Sequence, residues 1–321
     1  MRKRIYILLA AVHLLSVSFS YLTFSRPANP RKDFPADFGS AQGSSDTGEG
    51  KEPQVFAKGV ISTGHEFALT FTPDKKEAYF TRNFPDKKIN HILCAEFRDG
   101  AWQEPAPISF SSPQWSDLDP ALSSDGRKLF FISTRPAPGV QEAKTKDMNI
   151  WYAGRVGKVW GQPQYLENVN SLAKEGSPTV SRDRTLCFFS DRNREANANS
   201  IYCSEFHAGR YGAPQKLGPE INSASSDTSP FISPDGKTLL FYSTRPGGYG
   251  QADLYVSFKR NRRWSAAKNL GPVVNTPEWE YNPAVSPDRE TLYFGRKGNI
   301  YWVSTSALKV PGLEAKNLRR G

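Results

Sequence analysis

The stretch that decides the fold runs from Asp227 to Thr276 and reads DTSPFISPDGKTLLFYSTRPGGYGQADLYVSFKRNRRWSAAKNLGPVVNT. Asp235 and Gly236 separate two short apolar runs, which is typical of a tight β-hairpin. Two more runs follow the glycine-rich segment around Tyr249, the second of them after an aromatic residue. The stretch therefore predicts one unit of four short antiparallel strands, here called a to d.

Four further copies of this unit account for most of the chain. Their a–b turns carry the aspartates Asp74, Asp125, Asp183, Asp235 and Asp288, which are spaced 51, 58, 52 and 53 residues apart. A lone four-stranded sheet cannot bury both faces until neighbours stack on it, so a period near 50 residues indicates propeller blades. We predict an all-β, five-bladed β-propeller, with six blades as the alternative, and repeats near 65–112, 116–171, 174–223, 226–276 and 279–306.

The fifth unit lacks strand d, and the chain ahead of the first unit supplies a match. Residues 53–62, PQVFAKGVIS, match residues 214–223, PQKLGPEINS, in length and in the placement of apolar residues. Because a closed ring leaves no exposed sheet edge, we predict that this N-terminal strand completes the last blade.

The composition agrees with a β-rich fold. Phe and Tyr number 20 and 13 against only 2 Met, and 25 Gly and 24 Pro supply residues for many tight turns. Three Cys are too few for a disulfide-framework mini-protein or a multi-cysteine zinc ribbon.

The first residues have the layout of an export signal. Arg2, Lys3 and Arg4 precede an apolar run from Ile5 to Phe24. We predict a signal peptide or an uncleaved anchor over 1–24, a flexible linker over 25–51, the propeller over 52–313 and a basic tail over 314–321. The protein is then exported, periplasmic or secreted, and meets a membrane only through an uncleaved N-terminal segment.

The net charge of +10 invites a nucleic-acid interpretation. Its basic residues are dispersed over hairpin loops, and export argues against nucleic acid as a partner. We expect a monomer that binds an envelope protein, a peptide or a glycan.

The string SPDGKTLLFYSTRPGGYGQADLYVS, from Ser233, resembles the TolB-type, WD-repeat-like propellers of exported bacterial proteins. The resemblance covers about residues 53 to 306. It implies a periplasmic binding or scaffold module. Units one and five depart from the pattern, because Arg82 and Arg296 fall two positions earlier than their counterparts in the other units.

One acidic residue begins strand a in every unit: Glu66, Asp117, Glu175, Asp227 and Glu280. Since strand a lines the channel of a propeller, we expect a ring of carboxylates at one mouth. They could bind a cation or hydrolyse a sugar with a pair of acids. Alternatively, each ties its own loop to an arginine at the end of strand b, where the partners are Arg135, Arg192 and Arg245. A residue present in every blade favours this structural role, and therefore binding over catalysis.

Function is then sought where the copies differ on that face. The ligand-binding candidates are His65, Trp115, Tyr249, Trp279 and Tyr281. Exposed tryptophans suit stacking on a sugar or a peptide side chain, although packing between blades is an equal alternative.

Cys187 and Cys203 fall at equal distances from the centre of one b–c hairpin, so they form either a cross-strand disulfide or two buried thiols. The histidines lack metal-ligand spacing. No cofactor, metal site or catalytic residue is therefore predicted from the sequence.

Overall fold

The computed structural model describes residues 50–139, 148–193 and 198–313, which form five small antiparallel sheets arranged as a five-bladed propeller. The predicted fold class is confirmed. The signal segment, nearly all of the linker, the loop residues 140–147 and the basic tail lie outside the described residues. Within the described ranges, no helix is long and apolar enough to cross a membrane.

Three strands of each blade form its inner part. Strands a, b and c are β2 (Glu66–Phe71), β3 (Glu77–Phe84) and β4 (Ile89–Arg98) in blade 1; β7 (Asp117–Leu122), β8 (Lys128–Ser133) and β9 (Asn149–Val156) in blade 2; β12 (Glu175–Val180), β13 (Leu186–Ser190) and β14 (Ser200–Ser204) in blade 3; β18 (Asp227–Ile232), β19 (Thr238–Ser243) and β20 (Asp253–Arg260) in blade 4; and β23 (Tyr281–Val285), β24 (Thr291–Arg296) and β25 (Asn299–Ser304) in blade 5.

The outer edge of each blade consists of two-residue strands. In blades 1, 2 and 4, two further short strands both pair with strand c. They are β5 (Ala101–Trp102) and β6 (Ala106–Pro107) in blade 1, β10 (Val159–Trp160) and β11 (Gln164–Tyr165) in blade 2, and β21 (Arg263–Trp264) and β22 (Lys268–Asn269) in blade 4. Blade 3 ends in the separate hairpin β15 (Phe206–His207) and β16 (Arg210–Tyr211), followed by β17 (Gln215–Lys216) on β14. Short 3-10 helices occupy Pro85–Lys87 and Thr305–Leu308.

The ring is closed by the N-terminal strand, as predicted. Strand β1 (Gln54–Val55) pairs antiparallel with β25, Gln54 opposite Trp302 and Val55 opposite Tyr301. The residues that follow β1 insert into the core between blades 5 and 1. Phe56 packs edge-on against Phe71, Trp102 and Tyr293 with ring centroids 5.1–5.9 Å apart.

The apolar core lies between successive blades. Each strand b places one phenylalanine at an equivalent, fully buried position, and the five are Phe80, Phe131, Phe188, Phe241 and Phe294. The a–b turns are also equivalent. In each, the turn aspartate accepts a hydrogen bond from the hydroxyl two residues before it and from the backbone N–H two residues after it. The recurring turn aspartate, with a Ser or Thr two residues before it, therefore specifies a repeated turn.

Strand a carries a bulge at the same place in every blade. The a–b register shifts between the second and fifth residues of the strand in blades 1 to 4, and between the first and fourth residues of the shorter β23. The residue two positions after the acid adopts a positive φ of 46–54°. These residues are Ala68, Asp119, Ser177, Ser229 and Asn282, and we call them the channel ring.

Cys187 and Cys203 lie directly opposite each other on β13 and β14 and are joined by a disulfide. Cys94 is a free thiol. We therefore expect one reactive thiol in the denatured, unreduced protein and three after reduction. Replacing both cysteines of the pair by serine should cost about 3 kcal/mol of unfolding free energy, because it releases a loop of roughly 15 residues. Thiol titration and denaturant melts check both values, and three thiols before reduction would contradict the pairing.

Candidate functional site

The five repeated acids end up in buried ion pairs. Every one of these carboxylate side chains is 0% exposed and lies within salt-bridge distance of an arginine at the end of strand b. The pairs are Glu66–Arg82 at 2.6 Å, Asp117–Arg135, Glu175–Arg192 at 2.9 Å, Asp227–Arg245 at 2.7 Å and Glu280–Arg296 at 2.8 Å.

Each pair also fastens the loop that enters its blade. In four blades the carboxylate accepts hydrogen bonds from the hydroxyl and N–H of a Ser or Thr three or four residues earlier. The arginine Nη2 donates to a backbone carbonyl of the same loop in all five blades, for example to Ile221 O at 2.6 Å from Arg245. This is the geometry expected of the structural alternative.

The two arginines that depart from the repeat pattern still reach their acids. Arg82 stands directly opposite Glu66 in the a–b ladder, so its Nε points at the carboxylate. Arg296 likewise uses Nε toward Glu280, whereas Arg245 lies two residues past the end of its strand and uses Nη2. The irregular spacing is therefore compensated by a different side-chain approach.

The pKa values of the carboxyl groups in these ion pairs are shifted in different directions. Burial raises the pKa of Asp117 and of Glu280 against the opposing effect of their arginines. Burial acts in the same direction on Glu66, but hydrogen bonds from Thr63, His65 and Arg82 outweigh it and lower its pKa.

The sequence predicts a ring of these five carboxylates at the channel mouth, but none of them is among the residues that line the central cavity. They bind arginines of their own blades, and the residues two positions later, at the bulge, line the cavity instead. A cavity of about 240 Å³ runs between the five a strands. The channel ring is at one end of this cavity, and Pro73, Arg182, Pro234 and Pro287 are near the a–b turns at the other.

Two faces of the propeller follow from this topology. We call the end where the acids begin strand a the acid face, and the end formed by the a–b turns the turn face. The b–c and d–a loops meet on the acid face because strands b and d run toward it. All five ligand-binding candidates belong to these loops or to the first residue of a strand there.

Tyr249 and Trp279 come from adjacent loops of blades 4 and 5 and are well exposed, at 50% and 43%. The Trp279 indole N–H donates to Gln251 Oε1 at 2.5 Å. The indole also packs edge-on against the Tyr242 ring, with the ring centroids 6.4 Å apart. A Cβ at Gly250 would lie 2.1 Å from the carbonyl oxygen of Thr276, so the two loops are in tight contact.

The other candidates lie elsewhere on the acid face. His65 is exposed at the junction of blades 5 and 1, where the neighbouring Gly64 touches Gly298. Tyr281 is half-buried at the same junction, and its hydroxyl accepts the N–H of Gly298 at 3.2 Å. Trp115 is half-buried in the loop between blades 1 and 2. The structure thus places Tyr249 and Trp279 on two loops that touch, and Trp115 on a different loop.

Sequence reasoning missed the channel ring. A signal for it exists, because the third residue of strand a differs between the copies in DLDP, EGSP, DTSP, EYNP and EFAL. The ring contains one carboxylate, that of Asp119, which is 8% exposed. No group of three potential metal-ligating side chains occurs in the part of the chain that the structure describes.

No family model and no curated protein matches the chain. Among solved structures it is similar to TolB from Acinetobacter baumannii, at 15% identity and a TM-score of 0.45, over 75% of this chain and 54% of that one. It is also similar to a protein of unknown function from Dyadobacter fermentans, at 14% identity and a TM-score of 0.47, over 81% and 85% of the two chains. It is similar as well to a gluconolactonase from Xanthomonas campestris, at 12% identity and a TM-score of 0.46, over 75% of this chain and 72% of that one. The chain spans about half the length of the TolB structure, and at these identities the likeness concerns fold alone.

Proposed function

We propose that this chain is an exported, non-catalytic binding propeller whose acid face recognises an envelope protein, a peptide or a glycan. The observation that carries the proposal is the pairing of all five repeated acids with arginines inside the blades. Most sugar hydrolases use two carboxyl groups that face one substrate, one of them protonated and the other ionised. The repeated acids are engaged elsewhere, and the described channel lining holds the single carboxylate of Asp119.

The binding surface that we propose is centred on Tyr249 and Trp279. Aromatic residues contribute large contact areas and lose little conformational entropy on binding, so they dominate many binding surfaces. The Trp279 side chain and the backbone of the loop that carries Tyr249 are both held by contacts within the protein. The Tyr249 N–H donates to Asp253 Oδ2 at 2.6 Å, and Trp279 is fixed by Gln251 and Tyr242. Two exposed aromatic side chains on loops that touch suit a ligand with flat apolar faces, such as a sugar ring or a peptide side chain.

Replacing Tyr249 and Trp279 by alanine should therefore remove binding while the fold survives. The test presents the purified protein to immobilised arrays of bacterial envelope glycans and of peptides. We expect the double variant to lose at least tenfold in signal on each array feature that the wild type binds, since two aromatic anchors together contribute roughly 2 kcal/mol or more.

The matched control is Val159→Ala, which truncates a 66%-exposed apolar residue in a c–d hairpin on the turn face. It should bind like the wild type. Equal signals from wild type and double variant would contradict the proposed surface, and a lost thermal transition in the double variant would assign the two aromatics to packing.

A further inference from the structure

We propose that the central channel binds a primary ammonium group at Asp119. This site is separate from the aromatic surface on the acid face. It is the channel ring, in which five equivalent backbone positions present four different residue types to one cavity. Ala68 offers no polar atom, Ser177, Ser229 and Asn282 offer neutral ones, and Asp119 offers the charge.

The Asp119 carboxylate is held on one side only. Its Oδ2 accepts hydrogen bonds from the backbone N–H of Ser177 at 3.1 Å and from the Ser177 hydroxyl at 2.7 Å. The backbone N–H of Asp119 is itself bound to Thr81 Oγ1 at 2.9 Å, so the residue is fixed at both ends. Within the described ranges, Oδ1 receives no hydrogen bond from the protein. One oxygen is thus used for positioning, and the other remains available to a guest.

Among the described residues Asp119 forms no salt bridge. The cavity lining that the structure describes includes one basic residue, Arg182, which belongs to the a–b turn of blade 3 and not to the channel ring. Burial is the main reason why the pKa of Asp119 is raised, although the positive charge of Lys174 partly opposes the rise. A buried carboxylate without a salt-bridge partner is costly, and a bound cation would reduce that cost.

The available acceptors favour an ammonium group over other cations. An ammonium has three N–H donors. Ser177 Oγ lies 2.7 Å from Asp119 Oδ2 and 3.2 Å from Ser229 Oγ, so Asp119 and Ser229 are linked through Ser177. Asp119 Oδ1, the Ser229 hydroxyl and the Asn282 side-chain oxygen are three acceptors that line the same cavity. Calcium prefers six to eight oxygen ligands with several carboxylates, and a guanidinium prefers both oxygens of a carboxylate. The ring supplies one carboxylate, and Ser177 already occupies one of its oxygens.

Calorimetric titration of the full chain with methylammonium tests the site. We expect the wild type to bind methylammonium and to bind tetramethylammonium, which has no N–H donor, at least tenfold more weakly. Asp119→Asn should lose at least tenfold in methylammonium affinity. Its melting temperature should stay equal or rise, because neutralising a carboxylate of raised pKa removes a cost that is present at neutral pH. The control Asp86→Asn, an exposed carboxylate on the acid face, should bind like the wild type.

Several outcomes would overturn the proposal. They are no methylammonium binding by the wild type, equal binding by Asp119→Asn, equal affinity for tetramethylammonium, or calcium bound in place of the amine. If Asp119→Asn fails to fold, Ser229→Ala decides, since it should weaken methylammonium binding severalfold, and an unchanged affinity would refute the site. Array binding through Trp279 is a separate readout, so failure of this site leaves the acid-face proposal standing.

Discussion

A chain shortened to begin at Glu66 should lose its cooperative thermal transition. The deletion removes β1 together with Phe56 and Ile61, and Ile61 is 0% exposed between blades 5 and 1. Losing a buried Ile costs about 2–5 kcal/mol, and losing a Phe up to about 3–5 kcal/mol, less for the half-buried Phe56. The sum is comparable to the whole stability of a typical domain, about 5–15 kcal/mol.

The control for this deletion is a chain that begins at Gly50. It keeps β1, and it keeps the hydrogen bond from Ser304 N–H to the Gly50 carbonyl at 2.9 Å. Calorimetry should show a full transition for this chain and none for the shorter one. Equal melting temperatures would mean that ring closure contributes nothing to stability.

Arg245→Ala should destabilise the protein by about 3–5 kcal/mol. The arginine binds Asp227 Oδ1 at 2.7 Å and Ser243 Oγ at 2.8 Å, and its guanidinium lies 4.7 Å from the Tyr255 ring centroid. Removing it leaves the Asp227 carboxylate buried and short of its only cation partner among the described residues. An uncompensated buried charge costs far more than a surface substitution, and denaturant melts measure the difference.

Arg263→Ala is the matched control, since Arg263 is exposed in the c–d hairpin of the same blade. Its unfolding free energy should change by less than about 0.5 kcal/mol. Similar stabilities for the two variants would show that the Asp227–Arg245 pair is not what fastens the blade.

The sequence predicts what is repeated. Turn aspartates, buried phenylalanines and strand-initial acids recur at one spacing, so the blade, the ring and its closure could be inferred before any coordinates. The sequence favoured ion pairs over a cation or sugar site for those repeated acids but could not decide between them. The reason is that Arg82 and Arg296 fall two positions earlier than the arginines of the other blades. Whether an arginine reaches its acid depends on where the arginine lies relative to the end of strand b. That position is fixed by the register of strands a and b.

Features that depend on backbone geometry could not be predicted. The bulge after the first residues of strand a decides which side chains face the channel, and nothing in the alternation of polar and apolar residues reveals it. The strand pattern assigned Asp117 to the channel, whereas the bulge places Asp119 there. The placement of Tyr249 and Trp279 on touching loops likewise depends on a close contact at Gly250. The repeat pattern does not reveal that contact between two loops.

The central claim is that residues repeated in every blade build the propeller and that single-copy residues bind its ligands. Its most direct test is the unfolding free energy of the five single variants Arg82→Ala, Arg135→Ala, Arg192→Ala, Arg245→Ala and Arg296→Ala. We predict a loss of about 3–5 kcal/mol in every blade, because each arginine neutralises a fully buried carboxylate. Losses confined to one or two blades, with wild-type stability in the others, would contradict it.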